Sequence, residues 1–279
     1  ILYPGPYIVT IHDLTILHHA TGKASTLPWF LYAIRRFGYK LVLRIGIQRA
    51  RDVVTVSRTV KHDIISVFHK PDRHVHVTYE GIDPVFLDRT HPEDPKVFPV
   101  QDPYFLYVGN VYPHKNIEAL LSAYDIYIKK TTHPAKLVFV GPDDYFYRKL
   151  KIVIRSLDMQ THVVFFHNSS DHFLRLLYRR AQALVFPSLM EGFGLPAIEA
   201  IVQGCPVVCS DIAIFREIVS PYGTFVDTTK PEDLAKTLTG MVHKKKNNLT
   251  DVQYHDFISR FDWMSMGKQT VELYTGDRK

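Results

Sequence analysis

Ala183-Leu-Val-Phe-Pro-Ser-Leu-Met-Glu-Gly-Phe-Gly-Leu-Pro-Ala-Ile-Glu199 decides the fold. Its first four residues are an uninterrupted apolar run, the pattern of a strand buried on both faces. Pro187-Ser188 ends the run, and a turn containing Gly192 and Gly194 follows. Pro196 then opens a helix carrying Ala197, Ile198, Glu199, Ala200 and Ile201. Proline suits the first helical turn, where its missing N–H costs nothing. Glycine permits positive φ and close approach of the backbone to a ligand. The unpaired N–H groups of a helix N-terminus favour an anion such as a phosphate. Two carboxylates bracket the turn: Glu191 within it and Glu199 about one turn into the helix. The stretch reads as a strand–loop–helix site for a phosphate-bearing ligand with hydroxyls.

The same unit repeats on both sides of this stretch. Upstream, strands are expected at Tyr104–Val108, Lys136–Val140 and His162–Phe166, each followed by a helix: about Asn116 to Lys129, Asp144 to Leu157, and Ser170 to Ala181. Downstream, strands Pro206–Cys209 and Thr224–Val226 alternate with helices near Phe215–Val219 and Pro231–Val242. Repeated β-α units of this length imply a parallel sheet with helices on both faces, a doubly wound domain. A further helix is expected between Phe261 and Tyr274. His243-Lys-Lys-Lys246 reads as a solvated face rather than a binding patch.

The first part of the chain is shorter. Tyr7–Ile11 is a strand ending in His12-Asp13, and open α/β sheets place ligands at the carboxyl ends of their strands. Asp52–Val56 is a second strand, with Ser57 as the N-cap of a helix to about His69. Val75, Val77 and Tyr79 alternate as a third. The proline-rich, polar segments His91–Pro95 and Pro99–Pro103 place the domain boundary near residue 100: 1–99, 100–255, and a terminal helical segment 256–279.

A long basic amphipathic stretch occupies residues 28–51. No acidic residue lies between Lys23 and Asp52, while Arg35, Arg36, Lys40, Arg44, Arg49 and Arg51 do. Phe30, Ile34, Phe37, Leu41 and Ile45 recur at helical spacing. Gly38 and Gly46 weaken the helix and are the points where it would split. Two readings stand: the apolar side packs into the first domain with the arginines in water, or the surface docks on anionic lipid, where each basic residue contributes ~1 kcal/mol.

At 279 residues and 46% hydrophobic, the chain can bury a sizeable core in two domains. The formal charge of +6 suits an anionic ligand or surface but is not concentrated enough, and carries no motif, for nucleic acid. No apolar run is long enough for a transmembrane helix, and no signal peptide is visible. Cys205 and Cys209 read as buried, reduced thiols of a cytosolic protein rather than a redox or metal pair. The chain starts at Ile1, almost directly in a strand, as a fragment with an upstream part would.

The first strand of the longer domain ends in Gly109-Asn110-Val-Tyr-Pro-His114-Lys115-Asn116. A lysine where a helix begins is unfavourable unless an anion sits nearby. With the 183–199 stretch at the same sheet edge, Lys115 is expected to contact a phosphate, and a diphosphate leaving group needs such a cation. A carboxylate such as Glu199 accepts two hydrogen bonds from a cis-diol such as a ribose, which requires no proton transfer.

The order V-G-N-x3-H-K-N, F-P-S-x2-E-G-F-G-L-P-x2-E-A and G-x-P-V-V-x-S resembles the retaining, nucleotide-sugar-dependent hexosyltransferases of the GT-B fold. The nearest resemblance is to bacterial mannosyltransferase-like members that build polysaccharides and glycolipids. It runs from I-H-D-L at residues 11–14 to the C-terminal helix. It implies two Rossmann-like domains facing a cleft, the N-terminal one incomplete in this chain, with the last helix crossing back to the first domain. Glu199 would bind the donor ribose. Glu191 would contact the transferred hexose, with the backbone of Gly192, Phe193, Gly194 and Leu195 against sugar and diphosphate. Lys115, beside Gly109 and Asn110, would bind the diphosphate, and His12 would touch the hexose near the reacting carbon. Glu191, His12 and Lys115 are thus the implied catalytic set. The resemblance also implies a nucleotide-diphosphate sugar donor, GDP-mannose being the best guess, and a glycan or lipid-linked glycan acceptor. No metal or other cofactor is implied, and no metal spacing is convincing among the fifteen histidines. Work at the cytoplasmic face of a membrane follows for members with lipid-linked acceptors.

Two positions depart from the pattern. Asn110 stands where many members carry arginine, which leaves Lys115 as the main cation, and Glu80 replaces a common asparagine in N-G-x-D. Rival readings are a glycoside hydrolase using Glu191 and Glu199 as paired carboxylates, a GT-B sugar-nucleotide epimerase, and a non-catalytic sugar-nucleotide-binding module.

Overall fold

The computed structural model describes residues 3–18, 28–88, 98–101, 103–242 and 249–276. The His91–Pro95 connection and the His243–Lys246 run lie outside them. The chain divides into two compact units: Ile1–Gly81 with Met190–Phe193 and Ser259–Lys279, and Ile82–Leu189 with Gly194–Ile258.

The first unit contains β1 (Ile8–Ile11), α1 (Thr15–His18), α2 (Trp29–Arg49), β2 (Asp52–Thr55), α3 (Arg58–Phe68) and β3 (Val75–Val77). The strands are parallel, in the order β1-β2-β3. Ile11, Val53 and Val75 meet Val60, Ile64 and Phe68 of α3 in one core. Those three helical residues recur at four-residue spacing, one face of a helix. Ser57 caps α3 as expected, its hydroxyl accepting from Val60 N at 3.1 Å.

The second unit runs through α4 (Pro84–Leu87), β4 (Tyr104–Val108), α5 (Ile117–Lys129), β5 (Lys136–Gly141), α6 (Tyr145–Ser156), β6 (Val163–His167), α7 (Asp171–Arg180), β7 (Ala183–Phe186), α8 (Leu195–Val202), β8 (Val207–Ser210), α9 (Ala213–Ile218), β9 (Gly223–Val226), α10 (Pro231–Met241) and α11 (Asp251–Ser259). A final helix, α12 (Trp263–Thr275), belongs to the first unit. The six strands are all parallel, in the order β6-β5-β4-β7-β8-β9. Every residue of β4, β7 and β8 is buried, as their continuous apolar runs require. Asp144 and Ser170 cap α6 and α7 through Tyr147 N and Phe173 N. The order reverses direction between β4 and β7, the switch point at which doubly wound sheets bind ligands beyond their carboxyl ends.

Three expectations are corrected. The units part between Gly81 and Ile82, not near residue 100. The segment 82–88 is fastened to the second unit by Arg175 and Arg179 of α7: Arg175 donates to Val85 O at 3.3 Å and pairs with Asp88 at 3.2 Å, and Arg179 donates to Asp88 O at 2.8 Å. Next, α2 is unbroken across Gly38 and Gly46, where an added Cβ would meet open space. Its Phe30, Ile34, Phe37 and Leu41 stripe points outward, and Leu43 and Ile47 on the other side pack onto the core. The helix expected between Phe261 and Tyr274 is present as α12, and ahead of it the sequence reading missed α11, whose Tyr254 and Phe257 are buried. Cys205 and Cys209 are buried thiols and form no disulfide, and burial pushes the Cys209 thiol up to about 12.

Tyr124 joins the starts of two strands. Its hydroxyl lies 2.8 Å from Ala135 O and 3.1 Å from His162 O, while Leu137 N also serves the latter carbonyl. Removing the hydroxyl orphans one buried acceptor, at a cost of about 1 kcal/mol. Tyr124→Phe is therefore expected to lower the thermal midpoint by roughly 2–4 °C. An unchanged midpoint in calorimetry would show that the bond contributes nothing.

Candidate functional site

Both loops of the switch point are built by specific local constraints. Leaving β4, the chain turns at Gly109, whose φ of 129° lies in the region open to glycine. The Tyr147 hydroxyl donates to Gly109 O at 2.7 Å, and that of Tyr107 to Asn110 O at 2.5 Å. Gly141 permits this brace, because a Cβ there would lie 2.2 Å from the Tyr147 hydroxyl and 2.4 Å from Gly109 O. The side-chain oxygen of Asn110 accepts from Tyr112 N at 3.3 Å, so it serves its own turn. Pro113–Lys115 then forms a single 3-10 turn, and Asn116 at φ 57° enters α5. Lys115 thus precedes the helix instead of beginning it. Its Nζ lies 5.5 Å from the ring centre of Phe186, the last residue of β7. Leu189 N donates to His114 O at 2.8 Å, which ties the two loops together.

Beyond β7, Gly194 at φ 107° is the N-cap of α8. A Cβ there would meet Phe215 at 3.1 Å and Ile218 at 3.3 Å, so the position is both strained and crowded for any other residue. Ala197 N donates to Gly194 O at 3.0 Å, and Pro196 has no N–H. Among the described residues the N–H groups of Gly194 and Leu195 make no hydrogen bond, which leaves two donors at a helix N-terminus for an anion.

One turn into α8, Glu199 is partly buried and accepts from the Tyr178 hydroxyl at 2.9 Å. Burial raises its carboxyl to about 7; the Tyr178 bond opposes this, and the charges of Asp171 and Asp83 add to it. Burial and the Glu199 charge push the Tyr178 hydroxyl well above 10. Glu199 therefore has one fixed donor and capacity for more. The sequence offered no signal for Tyr178 as its partner.

Met190–Phe193 belongs to the first unit. There the Ser57 hydroxyl donates to Gly192 O at 2.9 Å. A Cβ on Gly192 would sit 2.2 Å from His12 O and 2.9 Å from Asp13 Cβ, so only glycine lets this loop lie against β1's carboxyl end. The Phe193 ring packs on Tyr79 and Phe261 at centroid distances of 5.9 and 5.8 Å. His12 Nδ1 lies 2.9 Å from Glu80 Oε1. Glu80 stood in the sequence only as a departure; its position after β3, at the same sheet edge as His12, was the available signal.

The structure thus gathers His12, Glu80 and the 190–193 loop carrying Glu191 in one unit. Gly109, Asn110, Lys115, Gly194, Leu195 and Glu199 gather in the other. A cavity of about 1320 Å³ between α3, β3 and α12 includes none of these residues. Among the described residues no group of three His, Cys, Asp or Glu side chains is placed to hold a metal ion.

The raised pKa of Glu199 has a defined sign. Between about 4.5 and 7 the folded chain holds a proton that the unfolded chain has released. The contribution to stability is complete below the lower value and is lost as pH rises through the upper one. The shift corresponds to at most about 3 kcal/mol. Glu199→Gln should therefore gain thermal stability relative to the parent as pH goes from 5 to 8. A difference that stays flat over that range would remove this account of the residue.

Residues 88–254 match the family described as Glycosyl transferases group 1. The chain is 28% identical over 276 residues to the O-antigen chain mannosyltransferase RfbU of Salmonella typhimurium, with 97% of this chain and 73% of the relative covered. It is 30% identical over 280 residues to an uncharacterised glycosyltransferase of Methanocaldococcus jannaschii, covering 96% of this chain and 69% of that protein. The sucrose-phosphate synthase structure from Thermosynechococcus elongatus superposes with a TM-score of 0.78 at 20% identity, over 99% of this chain and 68% of the other. With the strand order, the switch-point loops and the 183–199 stretch, these likenesses establish that the chain belongs to the glycosyl transferases group 1 family and is a glycosyltransferase of the GT-B fold.

Proposed function

We propose that this chain transfers mannose from a nucleoside-diphosphate sugar, GDP-mannose being the best candidate, to a glycan or lipid-linked glycan, with retention of anomeric configuration and without a metal. The observation that carries the reading is the paired loop at the switch point. A cation, Lys115, and an unpaired helix N-terminus flank one sheet edge, with the hydroxyl-binding Glu199 one turn away. That combination suits a diphosphate joined to a ribose. The choice of mannose is supported by the similarity to the O-antigen chain mannosyltransferase.

In this reading Glu199 accepts from the ribose hydroxyls. The backbone at Gly194 and Leu195 donates to the diphosphate, with Lys115 neutralising the charge that develops as the sugar–phosphate bond breaks. Glu191 and the 192–193 backbone hold the hexose hydroxyls. His12, oriented by Glu80, contacts the hexose near its anomeric carbon. The bond from that carbon to the diphosphate oxygen breaks, and one to an acceptor hydroxyl oxygen forms on the same face. The acceptor's proton passes to the departing phosphate, which makes nucleoside diphosphate and the new glycoside the products. Glu199, already engaged with Tyr178, acts as a binding group and not as half of a hydrolytic carboxylate pair.

Incubation with candidate donors and glycan acceptors, followed by nucleotide release, tests the reaction. Release dependent on acceptor is expected; none with any donor–acceptor pair, together with no nucleotide binding, would overturn it. Residue roles separate in equilibrium titrations. Lys115→Ala should weaken nucleoside diphosphate by about 10- to 100-fold while leaving the nucleoside unaffected. Glu199→Ala should weaken both, and equal affinity in parent and variant would cancel the ribose assignment.

A further inference from the structure

Two of the sequence motifs end in residues that the transfer reading does not use. V-G-N-x3-H-K-N closes on Asn116, and G-x-P-V-V-x-S closes on Ser210, the last residue of β8. The structure joins them through Thr228, which follows β9. Asn116 Nδ2 donates to Thr228 Oγ1 at 3.3 Å, and the Thr228 and Ser210 hydroxyls share a hydrogen bond at 3.1 Å. Ser210 and Thr228 are both buried. Helices α5 and α10 pack against one another, and Asn116 and Thr228 stand just ahead of their first turns. An asparagine in the place of Asn116 ordinarily accepts from the N–H groups of the turn it caps. Asn116 makes no such bond. Its backbone takes the left-handed φ of 57° that asparagine tolerates, and its amide reaches across 112 positions to Thr228.

We propose that Asn116 and Thr228 are positioning residues for Lys115, the bond between them fixing the turn from which the lysine ammonium meets a bound diphosphate. Lys115 and Asn116 are adjacent in the chain. The 3-10 turn that carries them is held from within by Lys115 N donating to Tyr112 O at 2.8 Å and Asn116 N to Pro113 O at 3.1 Å. Both bonds are local and leave the turn as a whole untied. The Asn116 amide ties its exit to the carboxyl ends of β8 and β9, through Thr228 and Ser210. Ser210 gives the buried Thr228 hydroxyl its second partner, as buried polar groups require. A lysine carries its charge on a flexible four-carbon stem, so the backbone that bears it decides how narrowly that charge is placed. A turn fixed before the ligand arrives has less freedom to lose on binding. The inference rests on the assignment of Lys115 to the diphosphate, and adds to it what holds the charge in place.

Equilibrium titration of the full chain with GDP, UDP and ADP, each beside its nucleoside, tests it. Thr228→Val removes the hydroxyl and keeps the size. It should weaken the diphosphate that the parent binds by about 5-fold, with the nucleoside bound as in the parent. Asn116→Gly keeps the left-handed backbone open and removes the amide, and should do the same. Asn116 is only half-buried, so this variant carries the test if Thr228→Val does not fold. In a Lys115→Ala background neither change should weaken the diphosphate further, because the charge being placed is gone. Thr228→Ser, which keeps the hydroxyl, should bind the diphosphate as the parent does. Equal losses for nucleoside and diphosphate, or equal losses with and without Lys115, overturn the proposal and leave the network a purely structural one. Parent-like diphosphate binding in both Thr228→Val and Asn116→Gly, with Lys115→Ala still weakened, overturns the proposal alone. Lys115→Ala equal to the parent, or a parent that binds none of the three diphosphates, overturns the assignment of Lys115 and the proposal with it.

Discussion

The hydrogen bond from Leu189 N to His114 O joins the two loops that diverge where the sheet reverses its strand order. Strands β4 and β7 are neighbours on either side of the point where the strand order reverses, the place where doubly wound sheets open a crevice beyond their carboxyl ends. Everything assigned to the donor side of this enzyme depends on that geometry. The turn at Gly109, the 3-10 turn that carries Lys115, and the helix start at Gly194 all lie on its rim. Each is fixed by a constraint outside itself: the Tyr147 hydroxyl on Gly109 O, the Asn116 bond to Thr228, and the Phe215 and Ile218 side chains around Gly194.

Electrostatics set the state of that rim before any ligand arrives. Two helix-end N–H groups and Lys115 favour negative charge, whereas Glu199 sits where burial penalises its ionised form. A ligand with hydroxyls reverses this penalty, because two donors to the carboxylate stabilise its charge. Tyr178, itself buried and hard to ionise, keeps one donor on the carboxylate throughout. In the first unit, Glu80 plays the corresponding part for His12, holding its Nδ1 at 2.9 Å.

What the sequence showed and what it hid divide along the range of the interactions. The strands of the second unit were legible because their apolar runs are continuous, and the cap at Ser57 because a cap acts within three residues. The spacing of Glu191 and Glu199 was legible through its motif. The boundary between units was not, since Pro and Gly content points to residue 100 while two arginines some ninety positions away draw 82–88 into the second unit. The outward face of α2 was hidden for a different reason. Periodicity shows that apolar residues share a face, and with apolar residues on two faces it cannot say which one meets the sheet. Tyr178 and Glu80 were missed as partners because each pairs across a chain distance that carries no local pattern.

A crystal structure of the chain with a nucleoside diphosphate tests the account at its centre. The two phosphates are expected within hydrogen-bonding reach of Gly194 N, Leu195 N and Lys115 Nζ, with the ribose hydroxyls on Glu199. A nucleotide bound elsewhere, or bound here with its ribose away from Glu199, would contradict it.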